Sequence, residues 1–303
     1  MTLTTPYQTT LMNLCGNIWS IQEHALQRLW NEVLAADALP PNYAEVPTTP
    51  MASAGTRGGG APGAVAVIPI RGAIVPRGDM FSSLFGGVPL DGLRGEVQRA
   101  VSDPQVSTVV LDIDSPGGSV TGVQEFADFL HTATTAKPII AHCNAMCASA
   151  AYWIASQATE IVATPSATVG GIGVFAVHQD LSESMKAQGI TNTIISAGRR
   201  KTEGNPFEPL SDDARSNLQA TVNEHYDMFV DAVSRGRAVA ASSVRTGFGE
   251  GAVVSGDEAM ATNLVDRIQT MEGLLTELTR PRGTRPRGVS ADDAVVRRWR
   301  YVA

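Results

Sequence analysis

"VSTVVLDIDSPGGSVTG", Val106 to Gly122, carries the argument for the fold. Val106 to Asp114 is a run dominated by β-branched and apolar residues, which marks a strand covered on both faces. Ser115-Pro116-Gly117-Gly118 then turns the chain, and Val120 to Ala133 has helical periodicity. The same strand-to-helix alternation continues on both sides. Ala64 to Val75 is a run of strand formers interrupted by Pro69, and Leu93 to Val101 reads as helix. Downstream, Pro138 to Cys143 reads as strand, Ser149 to Ser156 as helix, and Glu160 to Pro165 and Ile172 to Val177 as strands. Leu181 to Gln188 reads as helix, Thr191 to Ser196 as strand and Ser211 to Val239 as a long helix. This alternation predicts an α/β fold, a mostly parallel sheet with flanking helices.

The chain has 303 residues, with 43% hydrophobic and 17% charged, enough apolar material for a sizeable core. Its net charge of −7 argues against a protein-wide nucleic-acid surface. Residues 281–303 differ: with Arg280 they carry seven arginines against Asp292 and Asp293, a net of +5. They read as a basic, disordered tail, the one place where weak nucleic-acid or acidic-protein binding is expected. Residues 1–45 read as an N-terminal helical extension, with Ser20 and Glu23 at capping-box spacing opening a helix to about Ala36. Residues 46–63, rich in Pro, Gly, Ser and Thr, read as a flexible linker. The main folded domain is then expected over 64–280. Three cysteines, Cys15, Cys143 and Cys147, form neither a disulfide framework nor a metal set, so no metal or cofactor is expected. No secretory leader and no apolar run of membrane length is read, so a cytoplasmic protein without a membrane element is expected.

Three segments carry chemistry. Gly117-Gly118 follows a strand, and paired glycines let the backbone approach a ligand with N–H groups aimed at a developing negative charge. The turn lacks the GK[ST] ending of a phosphate loop. "MCASAAYWIA", Met146 to Ala155, places Ser149 alone among small and apolar residues at a helix start. A serine there is either an N-cap or a nucleophile in an apolar cleft. "PSATVGGIGVF", Pro165 to Phe175, supplies another glycine-rich turn between apolar strands.

"DSPGGSV", "MCASAAYWIA", "PSATVGGIGVF" and "GDEAMATNLVDRI" occur in an order and at spacings that resemble the signal peptide peptidase A family of serine peptidases, over about Ala64 to Leu275. The resemblance implies a Clp protease/crotonase-like fold and ring-like oligomers. It implies Ser149 as nucleophile and Lys201, in "GRRKTEGNPF", as general base. Gly117 and Gly118, with the backbone N–H of Ala150, are implied as the oxyanion hole. Two positions depart from the family pattern. Ala150-Ala151 stand where glycines are common, and Gly171 stands where many members have a serine that holds the lysine. Ser166 and Thr168 are the remaining candidates to orient Lys201.

The dyad is chemically coherent. A serine hydroxyl needs a base to take its proton. A lysine, ordinarily charged to about pH 10.4, serves only where its cation is disfavoured, as in an apolar pocket. Activity should then keep rising through about pH 8 to 9, whereas a histidine base such as His178 would plateau by about pH 8. With no membrane anchor read, the phage and prophage branch is expected: a protease that cuts scaffold, portal or capsid proteins in the assembling procapsid, in the host cytoplasm. The alternatives are a cytoplasmic bacterial peptidase, an acyl-CoA enzyme of the same fold, and an inactive scaffold-binding protein. Self-cleavage is expected in the linker at Met51 to Gly55.

Overall fold

The computed structural model describes residues 18–22, 25–27, 56–57, 63–78 and 87–279. In chain order the first elements are β1 (Ile18–Ile21), β2 (Thr56–Arg57), β3 (Ala64–Arg71), β4 (Ala73–Val75), β5 (Gly87–Pro89) and α1 (Leu90–Ser102). Then come β6 (Val106–Ser115), β7 (Gly117–Ser119), α2 (Val123–Ala133), β8 (Ile139–Ala148), α3 (Ala150–Ala155), β9 (Glu160–Ala163), β10 (Thr168–Gly170) and β11 (Phe175–Ala176). The last are α4 (Ser182–Ala187), α5 (Asp212–Arg237), α6 (Ala241–Gly247), β12 (Val253–Ser255), α7 (Gly256–Ala261), β13 (Arg267–Ile268) and α8 (Met271–Leu278).

The larger sheet runs β12-β10-β8-β6-β3-β2, with β9 and β13 branching from β8. All its pairings are parallel except β2 on β3 and β12 on β10, so the α/β expectation of a mostly parallel sheet holds. Burial on both faces explains the continuous apolar run of β6. One face packs Ile68, Val109, Leu111 and Ile139 against α1, α2 and α3. The other packs Val65, Val110, Ile140 and Val162 against Leu274 of α8. Pro69, in β3, lies beyond the two residues that β2 pairs, so its missing N–H costs no bond to β2.

β8 has a dual role. Its first half pairs with β9 (Ile140↔Glu160 to Cys143↔Ala163) and its second half with β10 (Met146↔Thr168 to Ala148↔Gly170). The two neighbours follow one another along the edge of β8 opposite β6, and the chain leaves β8 at Ala148 straight into α3. Every residue of α3 is buried, with Trp153 stacked on Phe229 of α5 at 4.5 Å between ring centroids.

A smaller sheet, β11-β1-β7-β4-β5, sits at the same end. Here the structure departs from the expected helix start. Ser20 is no N-cap; Ile18–Ile21 is a strand, antiparallel to β7 and to β11, and helical residues are seen at Ala25–Gln27. The strand expected at Thr191 to Ser196 is not formed: among the described residues those positions pair with no strand, and they are exposed, Ile195 to 94%. The tail, most of the linker including Met51 to Gly55, and the rest of the N-terminal extension lie outside the described residues, as does Cys15.

Candidate active site

Ser149 joins β8 to α3 with φ 58° and ψ −124°, a conformation that costs a residue with a Cβ. Its side chain caps nothing, so the N-cap reading of this serine fails. Two backbone bonds hold the elbow. Ser149 N–H donates to Gly170 O (2.7 Å), and Trp153 N–H donates to Ser149 O (2.9 Å). Small residues are required on the helical side: Ala150 and Ala151 are buried where α3 meets α2 and β7. Cys147 offers no rival nucleophile. Burial first, and then its hydrogen bond to Cys143, push its thiol well above the usual range.

The Gly117-Gly118 turn lies against this elbow. A methyl on Gly117, where φ is +103°, would overlap the carbonyl oxygen of Ser20. It would also stand 2.8 Å from Ser149 Cβ and 3.0 Å from the Ala150 nitrogen. A methyl on Gly118 would overlap the Ile74 carbonyl of β4. Both glycines are therefore demanded by close backbone approach. Ser115 staples the turn: its hydroxyl donates to Gly72 O (2.7 Å), and Gly117 N–H donates to Ser115 Oγ (3.2 Å). The Gly117 N–H is thus already engaged.

Strand β1 runs across this turn. Gln22 N–H donates to Pro116 O (3.0 Å) and Val120 N–H to Ile18 O (3.2 Å). In an antiparallel pair hydrogen-bonded positions alternate, so Ser20, midway and opposite Gly118, faces the Gly118 N–H. The Ser20 hydroxyl donates to Gly173 O (2.9 Å) and lies 2.5 Å from Ser149 Oγ. Each hydroxyl has one proton, so with Ser20's on Gly173 the Ser149 hydroxyl donates to Ser20. Ser20 is fully buried and Ser149 is 2% exposed. Sequence reasoning missed Ser20 and Gln22. The Gln22 amide fills the space beside Gly171, 2.5 Å from where a Cβ there would sit. Ile18–Ile21 has the β-branched and aromatic composition of a strand, but only its partners, Gly117–Ser119, reveal that role.

The other predicted residues are dispersed. Lys201 is exposed on the turn over 198–204, its N–H donating to Gly198 O (3.0 Å), and no side-chain hydrogen bond or ion pair of it is seen among the described residues. The turn is anchored by Leu181 N–H to Pro206 O (2.8 Å) and by Asn217 on Glu203 (2.7 Å). Ser166 is exposed and Thr168 half-buried at the start of β10. His178, the rival base, is spent on the Asn205 carbonyl at 3.1 Å. No helix among the described residues is long and apolar enough to cross a membrane.

Comparison with known proteins places the site in context. Residues 131–284 match the family model Peptidase family S49. The chain is 34% identical to "Capsid assembly protease C" of Escherichia phage lambda over 212 residues, 70% of this chain and 48% of that one. It is 32% identical to "Head-tail preconnector protein GP5" of Enterobacteria phage P21, over 67% of this chain and 40% of that one. The chain thus spans less than half the length of either relative. Among solved structures, a point mutant of ClpP1 from Listeria monocytogenes aligns over 69% of this chain and 94% of its own, with TM-score 0.42 and 14% identity.

Proposed function

The chain belongs to peptidase family S49, and from that premise we propose that it is a serine endopeptidase working through Ser149 and Lys201. The observation that carries the reading is the strained Ser149 elbow beside a glycine turn, with the carbonyl of an extended strand held against both. In this mechanism Ser149 Oγ attacks a peptide carbonyl carbon and its proton passes to the Lys201 amine. The oxyanion is received by the N–H groups of Gly118 and Ala150, while Gly117 leaves room for it. Lys201 returns the proton to the leaving amine, and water then releases the acyl group from Ser149.

Lys201 needs surroundings that disfavour its cation, and in the single chain it is exposed. The adjoining arm is their proposed source. Ile190, Ile194 and Ile195 are exposed apolar side chains on the approach to Lys201. Assembly of several copies through this arm buries the isoleucines and dries the lysine. Ser166 and Thr168 remain the candidates to orient it. The names of the two phage relatives, a capsid assembly protease and a head-tail preconnector protein, support a role in head assembly; the targets we propose are capsid, scaffold or portal proteins in an assembling procapsid within the host cytoplasm. Labelling with a serine-reactive fluorophosphonate tests the chemistry. Label on Ser149, lost in Ser149→Ala, together with casein hydrolysis, is expected. Folded protein that takes no label and cuts no casein refutes it.

A further inference from the structure

Ile18–Ile21 occupies the place where the proposed mechanism puts a target. It lies between β7 and β11, antiparallel to both, and completes the smaller sheet. Its register sets the Ser20 carbonyl opposite the Gly118 N–H and against the space that the missing Gly117 side chain leaves, close to the Ala150 nitrogen. The flanking Trp19 and Ile21 are buried, so the segment is seated on both sides of Ser20 rather than draped across it. We infer that this segment is the chain's own first substrate, cut between Ser20 and Ile21, and that the groove is closed to other chains until the cut is made. The inference rests on the peptidase reading.

The resting arrangement is latent. The Ser149 hydroxyl donates to Ser20 Oγ, so the acceptor that a base should provide is a neutral hydroxyl. The cut begins when that hydrogen bond breaks and the Ser149 proton passes to the Lys201 amine. Ser149 Oγ then bonds to the Ser20 carbonyl carbon, the Ser20–Ile21 C–N bond breaks, and the Ile21 nitrogen leaves as an amine with the proton from Lys201. Water hydrolyses the ester, leaving a Ser20 carboxylate and a free Ser149. Because Ser20 is fully buried, this position accepts only a small side chain, and later targets should carry one on the acyl side of the bond cut.

Intact mass and N-terminal sequencing of the full-length wild type, Ser149→Ala and Ser20→Trp test this, alongside fluorophosphonate labelling and casein hydrolysis. The wild type is expected to begin at Ile21 and Ser149→Ala to keep its starting N-terminus. Ser20→Trp is expected to stay uncut at that bond yet to take the label and cut casein, since an indole cannot seat there and the strand is displaced. A wild type that is labelled and cuts casein while its Ser20–Ile21 bond stays intact overturns this inference and leaves the peptidase reading standing. Cleavage there in Ser149→Ala or in Ser20→Trp overturns it as well. No label and no casein hydrolysis in folded wild type removes both readings.

Discussion

Gly117→Ala and Gly122→Ala are two substitutions that look alike to the backbone and differ at the site. Both glycines have positive φ, +103° and +82°. An alanine in such a conformation costs about 1–2 kcal/mol. For a unit of this size that lowers Tm by roughly 2–8 °C. The new methyls meet different surroundings. At residue 122 the nearest atom is Leu90 Cδ1 at 3.4 Å, the end of a flexible side chain. At residue 117 the methyl overlaps the carbonyl position held by Ser20 and crowds Ser149 Cβ and the Ala150 nitrogen, neither of which can swing away. It therefore fills the proposed oxyanion space and displaces the proposed nucleophile. Loss of one oxyanion donor costs on the order of 10²–10³ in kcat, about 3–4 kcal/mol. Displacement adds to that, since catalytic groups must hold position to about 0.5 Å. Casein hydrolysis and thermal unfolding on both variants give the comparison. The Tm loss is expected to be larger in Gly117→Ala, where backbone must shift, than in Gly122→Ala, with activity down at least about 100-fold in Gly117→Ala and within about threefold of wild type in Gly122→Ala. A folded Gly117→Ala with near-wild-type activity, or equal losses in both, refutes the assignment of this turn.

Trp153→Ala should cost about 3–5 kcal/mol in a urea titration, because it empties a fully buried site and removes the stack on Phe229. His142 should make stability pH-dependent. Burial, working against the Gln269 hydrogen bond and the charges of Asp112 and Glu272, holds it below the usual histidine range. Its Nε2 faces the Gln269 carbonyl, which only accepts, so Nε2 carries the proton; Nδ1 has no partner among the described residues, and a second proton there would be buried and unpaired. The unfolded chain binds that proton near pH 6.5 and the folded one only at lower pH, so this contribution is full above 6.5 and is lost as pH falls below it. His142→Gln should flatten the acid side of a Tm-versus-pH curve. Lys201→Ala should abolish hydrolysis while changing chain stability by no more than about 0.5 kcal/mol, since the side chain is exposed. His178→Ala should keep activity within about tenfold, or about 1.4 kcal/mol, in steady-state assays.

The parallel sheet was legible because β6 and β8 are buried on both faces, and burial writes itself into sequence as an apolar run. The glycine turn was legible because close approach leaves only glycine at 117 and 118. Ser149 was singled out as a candidate by its isolation among small residues. β1 was misread because Ser20 and Glu23 satisfy a local helix rule, while the deciding partner lies about a hundred residues away in β7. Thr191 to Ser196 failed in the opposite sense, with a strand's composition and no strand to join. The surroundings proposed for Lys201 were not legible, because on that proposal they depend on a second copy covering an exposed arm, and one chain's residues do not encode that locally.

Among the described residues, β1 is all that joins β11 to the β7-β4-β5 ribbon of the smaller sheet. Take it away and a slot one strand wide remains, edged by backbone amides and carbonyls and hungry for any chain that can lie straight. Such a slot reads posture before it reads letters. On the peptidase proposal, a folded target would first have to release several residues from its own hydrogen bonds, and its rate of cutting would be scaled by the free energy of that local opening, about tenfold for each 1.4 kcal/mol. A loop that is slack in one stage of an assembly and pulled into a sheet or helix in the next would be cut in the first and spared in the second. The clock for such an enzyme is then kept by its targets.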